Sequence, residues 1–464
     1  MLVSIIFLLL SLVLLNTAPS EYSLTFCVTC LVLFAMVCLA FYRQRKKGEG
    51  LVTFNTFFLI SFFLVSYAYP VFIHPSDFAE FFDMKHLITA SNICVCTALC
   101  TVAICSYYFG YNLSMQTKRN NYQKPLDHNS FESIHNRNGF WYTISTIGVF
   151  MILYLFFTTN QEVNIEVSYA PFLFILFLIC TIIALVTRTL CLPIKNRNWK
   201  NFLEANHKVI YVSLVVMLIY IIIGDRLLIV ELGLILIGVY SLFYKKIRVL
   251  YLVAFLAVGG VLMTLLMYTR GGAGSLRTGG IDGFITESNV VMSENEAGGV
   301  WGFTSDLSGR FQELSYGYEM TKHRGHIMPN KIFATLVSPI PFLPNVVSNL
   351  VVGVPTSQTS AGYFIGLDSN THAGSHCVID IYMPWGVSGI LFFFSLLGFV
   401  VAYFDRNKYN NIYGSVGYIV LLYQSVFIAR GTIFDIYRTL VWAMLILYLY
   451  NHSRSKKQLK VIHG

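Results

Sequence analysis

The chain has 464 residues, of which 56% are hydrophobic and 12% are charged, with a mean hydropathy of +0.63. Soluble domains average about 45–50% apolar and about 25% charged residues, so this composition excludes an ordinary soluble enzyme, a nucleic-acid-binding protein and a disordered chain. Aromatic residues make up 16% of the chain, and Tyr and Trp favour membrane interfaces. The composition therefore predicts an all-α polytopic integral membrane protein.

Twelve apolar runs are long enough to cross a membrane, because a bilayer core about 30 Å thick takes roughly 20 helical residues. The seventh and eighth runs are separated only by Gly-Asp-Arg at 224–226, which predicts a tight helical hairpin. A signal peptide is the alternative for the first run, although its start carries no Lys or Arg. The runs lie near residues 2–18, 23–42, 52–73, 87–110, 140–158, 170–187, 209–223, 227–243, 249–268, 385–404, 412–429 and 433–450.

The distribution of charge predicts the orientation of these spans. With the N-terminus inside, the inner segments hold 22 of the 32 basic residues and 5 of the 23 acidic ones, so the net charge is +17 inside and −8 outside. Lys and Arg favour the cytoplasmic side of a membrane protein. The pattern predicts twelve spans with both termini in the cytoplasm, and the total of +9 reflects topology rather than a nucleic-acid partner.

One connection is far longer than the others. Residues 269–384 separate the ninth span from the tenth and fall on the outer side. Connections of this length are uncommon unless they carry a function. The chain thus divides into helices 1–9 over residues 1–268, the large loop, and helices 10–12 with a cytoplasmic tail over residues 385–464.

The large loop contains helical segments of its own. Phe311, Leu314 and Tyr318 recur at helical spacing and predict an amphipathic helix around residues 305–321. The apolar stretch 331–354 is interrupted by three prolines, which argue against a thirteenth span. We expect this stretch to be a re-entrant or interfacial segment that other helices shield from lipid.

Three arginines lie on the outer side, where the positive-inside bias disfavours them: Arg226, Arg270 and Arg430. Ionisable groups near membrane depth usually face a protein interior or a watery cavity, and guanidinium groups suit bidentate binding of phosphate oxygens. Together the three could hold a pyrophosphate at the membrane surface. The alternative is that each arginine extends from the interface to a lipid headgroup.

A group of polar residues closes the large loop. His372 and His376 are four residues apart, as are His376 and Asp380, so one helical face could carry all three. His376 or Asp380 is a candidate general base that takes a proton from a hydroxyl. Two alternatives stay open. The His pair could chelate zinc, although the companion ligands of a zinc motif are missing, or a loop histidine could simply bond to the backbone.

The common nucleotide and hydrolase motifs are missing from the sequence. It has no P-loop, no G-x-G-x-x-G and no G-x-S-x-G. We therefore expect the energy for a reaction to come from an already activated, membrane-borne substrate.

Four motifs point to a known family: Gly-Asp-Arg at 224–226, Thr-Arg-Gly at 269–271, the proline-rich stretch 339–344, and residues 374–389. With these motifs and its late, large loop, the chain resembles the bacterial O-antigen polymerases of the Wzy type. In the last motif, Asp380 and then Tyr382 precede G-x-x-G at 386–389, which is similar to the family pattern at the start of a span. Related O-antigen ligases carry a loop histidine near the position of His376.

Two positions depart from the family pattern. Asp380 stands where the family usually has Glu, and Ile340 stands where an Arg often follows the first proline of the stretch. The choice of base between His376 and Asp380 therefore stays open.

The resemblance implies a membrane-embedded glycosyltransferase with a GT-C-like architecture in the bacterial inner membrane. It would move a growing glycan from undecaprenyl pyrophosphate onto a new lipid-linked repeat unit at the periplasmic face, and Arg226, Arg270 and Arg430 would neutralise the departing pyrophosphate. The resemblance implies no metal and no other cofactor. The expected partners are the lipid-linked substrates, membrane lipids and a chain-length regulator. Further candidates for substrate binding are Asp225, Arg310, His372 and Tyr382.

Two other functions are compatible with the sequence. A flippase or transporter for lipid-linked oligosaccharide suits twelve spans, but transporters tend to show internal repeats and broken helices near the membrane midplane, and the sequence shows neither. The O-antigen ligase, which transfers the glycan to lipid A core, shares the chemistry of the polymerase.

Overall fold

The computed structural model describes most of the chain, and every regular element in the described residues is helical. The all-α class is therefore confirmed for this part of the chain. The described residues are 1–44, 50–76, 88–116, 128–159, 170–192, 198–223, 227–248, 251, 259, 282–283, 285–286, 305–340, 343–369 and 375–462.

The helices are numbered here in chain order. Before the large loop they are α1 (Leu2–Asn16), α2 (Leu24–Gln44), α3 (Phe54–Ser66), α4 (Ala90–Gln116), α5 (His128–Thr159), α6 (Ala170–Cys191), α7 (Trp199–Ile223) and α8 (Leu227–Phe243). In the loop and after it they are α9 (Ser305–Ser308), α10 (Arg310–Arg324), α11 (Lys331–Leu336), α12 (Leu343–Val351), α13 (Ala361–Ser369), α14 (Cys377–Asn407), α15 (Ile412–Ile428) and α16 (Phe434–Ile462).

Six helices within the described residues are long and apolar enough to cross a membrane, namely α2, α4, α7, α14 and the larger parts of α5 and α6. Four shorter apolar helices, α1, α3, α8 and α15, also coincide with predicted runs. The apolar segment of α3 continues through a π-helical turn at Tyr69–Ile73. These helices make the protein a helical membrane protein.

The other two predicted spans are not among these apolar helices. Residues 249–268 lie outside the described residues except for two isolated positions, and residues 433–450 form the first part of α16. The total of twelve spans, the orientation and the GT-C-like architecture stay predictions.

The centre of the bundle is the contact between α4 and α14. A β-carbon on Gly110 would lie 1.8 Å from the carbonyl oxygen of Ser395, and one on Gly398 would lie 2.0 Å from that of Tyr107. The two backbones therefore touch, as small residues at helix interfaces in membranes allow. The Ser395 hydroxyl adds a hydrogen bond to the carbonyl of Ser106 at 3.1 Å. Because α4 is apolar on every side, it is buried along almost its whole length.

The loop helices α9–α13 pack on one end of the bundle, which we call the loop end. Asn92 at the start of α4 donates to Glu319 of α10, and the ring of Phe311 stacks on Tyr69 with centroids 5.8 Å apart. The predicted amphipathic helix is confirmed as α9 and α10, with Phe311 buried. In its described residues, 331–340 and 343–354, the stretch 331–354 holds the short helices α11 and α12, neither of which is long enough to span a membrane.

The helix that contains the predicted tenth span begins before that span. The sequence places the end of the loop at residue 384, and α14 begins at Cys377 and is interrupted at Gly386. Asp380 and Pro384 count against a membrane helix in any hydropathy reading, and in the folded chain Asp380 is buried and paired. Asp380 and Tyr382 lie in the first turns of α14, and the boundary between loop and span stays a prediction.

We expect Gly398→Ala to destabilise the protein, because the added β-carbon would collide with the backbone of α4 rather than with a flexible side chain. Overpacking of a close-packed interior costs about 1–3 kcal/mol. The thermal unfolding midpoint of the purified full chain in detergent should fall.

Gly139→Ala on α5 is the matched control for this substitution, since no atom lies within 4 Å of a β-carbon there. In a helix Ala is more favourable than Gly by roughly 0.5–1 kcal/mol, so the control should keep or raise the midpoint. Equal midpoints for the two variants would contradict the backbone contact between α4 and α14.

Candidate functional site

Helix α14 is broken near its start. Gly386 has φ 63° and ψ −154°, and glycine adopts positive φ at little steric cost. A β-carbon at this position would lie 2.9 Å from Cε1 of His326, so the missing side chain also makes room for that ring. Pro384, two residues earlier, has no N–H to donate to the carbonyl of residue 380. The first turns of α14 therefore need hydrogen-bond donors from elsewhere.

Residues 325–331 lie across this break, and we call this segment the strap. The carbonyl oxygen of Met383 accepts from the backbone N–H of Ile327 at 2.9 Å and from Nδ1 of His326 at 3.2 Å. Irregular backbone at a membrane helix must be satisfied by the protein itself. The strap thus supplies donors to the broken part of α14.

Lys331, at the end of the strap, is bound to Asp380. Its Nζ donates to the carbonyl oxygen of Asp380 at 2.8 Å and to Oδ1 of the same residue at 2.9 Å. This carbonyl is the one that Pro384 leaves without a helical donor. The ammonium also lies 5.5 Å from the centre of the Trp385 ring. The indole N–H of Trp385 in turn donates to the carbonyl of Pro329 at 3.0 Å. One lysine therefore serves both the backbone and the carboxylate of the same turn.

The Asp380 carboxylate is enclosed on all sides. Besides Lys331, Oδ1 accepts from the backbone N–H of Ala361 at 3.2 Å, and Oδ2 accepts from the hydroxyl of Thr432 at 2.7 Å. The exposed fractions are 5% for Lys331 and 2% for Asp380. These contacts join α11, α13, α14 and the α15–α16 connection, and we call them the Lys331–Asp380 node. With its oxygens occupied and an exposed fraction of only 2%, the Asp380 carboxylate is placed to hold these neighbouring elements together.

His376 is fully buried at the N-terminus of α14. Its Nδ1 accepts from the backbone N–H of Val378 at 3.1 Å, so the side chain caps the helix. The neutral ring then carries its proton on Nε2, which lies 3.3 Å from the hydroxyl of Ser66 and 4.0 Å from Sγ of Cys100. Of the alternatives that the sequence left open, this geometry supports a histidine bonded to the backbone.

His326 differs from His376 because it is exposed. Since Nδ1 donates to the carbonyl of Met383, the neutral ring has its lone pair on Nε2. The ring lies 6.1 Å from that of Tyr382, which packs 5.6 Å from Tyr318 of α10. Tyr382, predicted to bind substrate, therefore lies beside a histidine whose ring is oriented by the broken helix.

Two acidic side chains fasten α10 at the loop end. The hydroxyl of Tyr316 donates to Asp368 of α13 at 2.7 Å, and the guanidinium of Arg324 donates to the same carboxylate. These two donors, Tyr316 first, hold the pKa of Asp368 below its usual value. A hydrogen bond from Asn92 lowers the pKa of Glu319 in the same way. Both carboxylates are therefore ionised at neutral pH and tie α10 to α13 and to α4.

The described arginines of the predicted site lie in different places. The backbone N–H of Cys377 donates to the carbonyl of Ala429 at 3.2 Å, so Arg430 follows directly on a contact with the start of α14. Arg310 instead begins α10 and pairs with the buried Glu313 one turn later. The structure therefore brings Arg430, and not Arg310, next to the start of α14.

Four of the predicted site residues lie outside the described residues: Asp225, Arg226, Arg270 and His372. A zinc site formed by His372 and His376 would need His372, so this alternative also concerns residues outside the described ones. Comparison with known protein families, with characterised proteins and with solved structures finds no match. Function is therefore inferred from the chemistry of the loop end.

The sequence did not single out Lys331 or His326. Pro384 offers a signal for Lys331, because a proline in a helix leaves a carbonyl without a donor and a buried Asp requires a partner. Several cations of the loop could meet that need equally well in sequence terms. His326 follows Gly325, which has φ 77° and ends α10. The local sequence signal for the strap is therefore a glycine that ends a helix.

We expect Lys331→Met to be strongly destabilising, because it leaves the Asp380 carboxylate buried without its cation. Breaking one side of a buried pair costs about 3–5 kcal/mol. The double variant Lys331→Met/Asp380→Leu should lose less than the sum of the two single variants, since neither charge stays buried alone. Thermal unfolding of the four proteins in detergent measures this coupling.

Lys200→Met is the control, because it removes one partner of an exposed pair. The Lys200 and Glu204 charges are 3.8 Å apart, and their side chains are 83% and 63% exposed. Exposed pairs contribute about 0–1 kcal/mol, so the midpoint should hardly move. Strict additivity of the Lys331 and Asp380 variants would contradict the node.

Proposed function

We propose that the protein is a membrane-embedded glycosyltransferase, an O-antigen polymerase that moves a growing glycan from undecaprenyl pyrophosphate onto a new undecaprenyl-pyrophosphate-linked repeat unit. The reaction takes place at the periplasmic face of the bacterial inner membrane. The observation that supports this most is the strap across the broken start of α14. It brings an exposed, oriented histidine to the end of a membrane bundle, between two helices of a long loop.

The reaction needs a base and a site for the leaving group. A hydroxyl of the acceptor sugar attacks the anomeric carbon of the donor glycan, a new C–O bond forms, and the bond to the pyrophosphate breaks. Nε2 of His326 takes the hydroxyl proton. Arg430, with Arg226 and Arg270 of the sequence motifs, neutralises the charge that develops on the pyrophosphate. Undecaprenyl pyrophosphate then leaves.

The aromatic side chains around His326 suit a sugar substrate. Tyr318 and Tyr382 pack with ring centroids 5.6 Å apart, and the pair adjoins the His326 ring. Ligand sites combine such apolar faces with a few polar groups that fix orientation. In this proposal His376 and Asp380 are positioning residues: His376 caps α14, and Asp380 holds the strap through Lys331.

We expect His326→Gln to reduce the polymerisation rate at least about 100-fold, because a positioned general base contributes roughly 10²–10⁴-fold. The measurement is chain lengthening by the purified full chain in proteoliposomes that contain an undecaprenyl-pyrophosphate-linked repeat unit. His323→Gln is the control. The His323 side chain is 69% exposed, lies three residues earlier in the last turn of α10, and is bound to Glu319. A wild-type rate for His326→Gln would exclude the assigned base.

His376→Asn separates the capping role from a catalytic one. Asn is among the best N-cap residues but cannot act as a base, whereas loss of the cap in His376→Ala costs about 1 kcal/mol. In the same assay we expect His376→Asn to keep most of the activity and His376→Ala to lose stability. If His376→Asn is folded but inactive, the base is His376 rather than His326.

One observation favours a transporter as the second candidate. The sequence analysis predicts no broken helix, but the structure has one at Gly386. Broken helices near the membrane midplane are typical of transporters. This break lies in the first third of α14, under the strap, rather than at its middle. Proteoliposomes that lengthen the glycan without moving lipid between leaflets support the polymerase, and lipid movement without lengthening supports the transporter. A product that stays on undecaprenyl pyrophosphate separates polymerase from ligase.

A further inference from the structure

A cavity of about 920 Å³ lies at the end of the bundle opposite to the loop end. Helices α2, α3, α4, α14 and α15 all contribute to its walls, and no residue of the strap or of the Lys331–Asp380 node lines it. Ligand pockets usually measure about 300–1,000 Å³. The volume therefore falls in the range of ligand pockets, and the cavity is separate from the site proposed above.

The cavity is polar at the helix ends and apolar towards the middle of the bundle. Its polar residues include Gln44 at the end of α2, Asn55 in the first turn of α3 and Arg406 near the end of α14. Its deeper wall contains Phe34 and Phe63, whose ring centroids lie 6.3 Å apart. One continuous surface thus changes from hydrogen-bonding to apolar along the helix axes, which matches an amphiphilic ligand.

The depth of the cavity corresponds to one leaflet of a membrane. Gln44 and Phe34 both line it and are ten residues apart on α2, which is about 15 Å at 1.5 Å per residue. The hydrocarbon core of a bilayer is about 30 Å thick. A lipid chain whose headgroup lies at the polar end would therefore run to the middle of the bilayer inside this cavity.

Two charged side chains, Asp405 and Arg406, line the polar end of the cavity. The Asp405 carboxylate is already compensated, since it accepts from the hydroxyl of Tyr111 and from the ammonium of Lys408, both at 2.7 Å. Nη1 of Arg406 donates to the carbonyl of Ser114 at 2.9 Å, which fixes the guanidinium at the cavity. A guanidinium held in this way suits the oxygens of a phosphate.

The cavity also opens through the side of the bundle. Ile60, two turns into α3, and Tyr42 of α2 both line the cavity. Their exposed fractions are 40% and 67%. A chain can therefore enter from the surrounding lipid. We propose that the cavity binds one membrane phospholipid, with an acyl chain along the wall of Phe34 and Phe63 and the phosphate at Arg406.

Native mass spectrometry of the full chain, titrated in detergent with dioleoylphosphatidylglycerol, tests this proposal. The wild type should bind one molecule. Cys38→Trp places an indole in the cavity and should weaken binding at least about tenfold. Leu39→Trp is the matched control, because the neighbouring Leu39 is 57% exposed and does not line the cavity. Binding by Cys38→Trp as tight as by the wild type would overturn the proposal.

A second arm tests recognition of the headgroup and identifies the lipid. Arg406→Gln should weaken phosphatidylglycerol binding by about tenfold, whereas Arg43→Gln, at an exposed position outside the cavity, should not. On the wild type, dioleoylglycerol, which lacks the phosphate, should bind at least about tenfold more weakly than phosphatidylglycerol. This comparison does not depend on the folding of any variant. Equal binding of dioleoylglycerol, or a preference for undecaprenyl phosphate over the phospholipid, would overturn the proposal.

Discussion

The loop end of the protein depends on the contact between Lys331 and Asp380. Burying an ion pair costs several kcal/mol per ion, which only good geometry and further hydrogen bonds can offset. Here each charged group has such bonds: the ammonium reaches a carboxylate and a carbonyl, and the carboxylate also accepts from Ala361 and Thr432. Pro384 explains why a hydrogen-bond donor is needed at this turn, since the carbonyl of residue 380 has no helical donor. An uncharged donor at position 331 could serve the carbonyl but would leave the carboxylate without its counter-charge.

The position of Lys331 in the node also determines the arrangement of the strap and of His326. Once Lys331 is fixed, the strap must cross α14 at the point where the helix is broken. The ring of His326 then fills the space beside Gly386 that any side chain there would occupy. The same crossing aligns Nδ1 of His326 with the carbonyl of Met383. The break, the strap and the histidine therefore form one unit, and the fold itself sets the orientation of the ring, as the proposed proton transfer would require.

The sequence predicts the helices well because hydropathy reports which segments avoid water, and ten of the predicted runs coincide with apolar helices. It places the start of the tenth span at residue 385, after Asp380 and Pro384, because each looks unfavourable in a membrane helix. In the fold, Lys331 compensates both, through a contact that links positions 49 residues apart. No local pattern encodes such a contact. The spacing of His376 and Asp380 predicts that one helical face could carry both, whereas in the fold His376 caps α14 and Asp380 lies in its first turn.

Helix α14 connects the two ends of the molecule. It carries Asp380 before the break at Gly386 and Arg406 near its other end. The regular part from residue 387 to residue 406 is about 29 Å long at 1.5 Å per residue, close to the roughly 30 Å of the hydrocarbon core of a bilayer. Because Gly110 and Gly398 bring α4 and α14 into backbone contact, the two helices cannot slide without opening that contact. The strap holds α14 at the loop end, and Arg406 bonds it to the last turn of α4 at the other. One helix pair, α4 and α14, therefore keeps the polar groups of the loop end and those of the opposite end at a fixed separation. The apolar side chains between the two ends pack the interior.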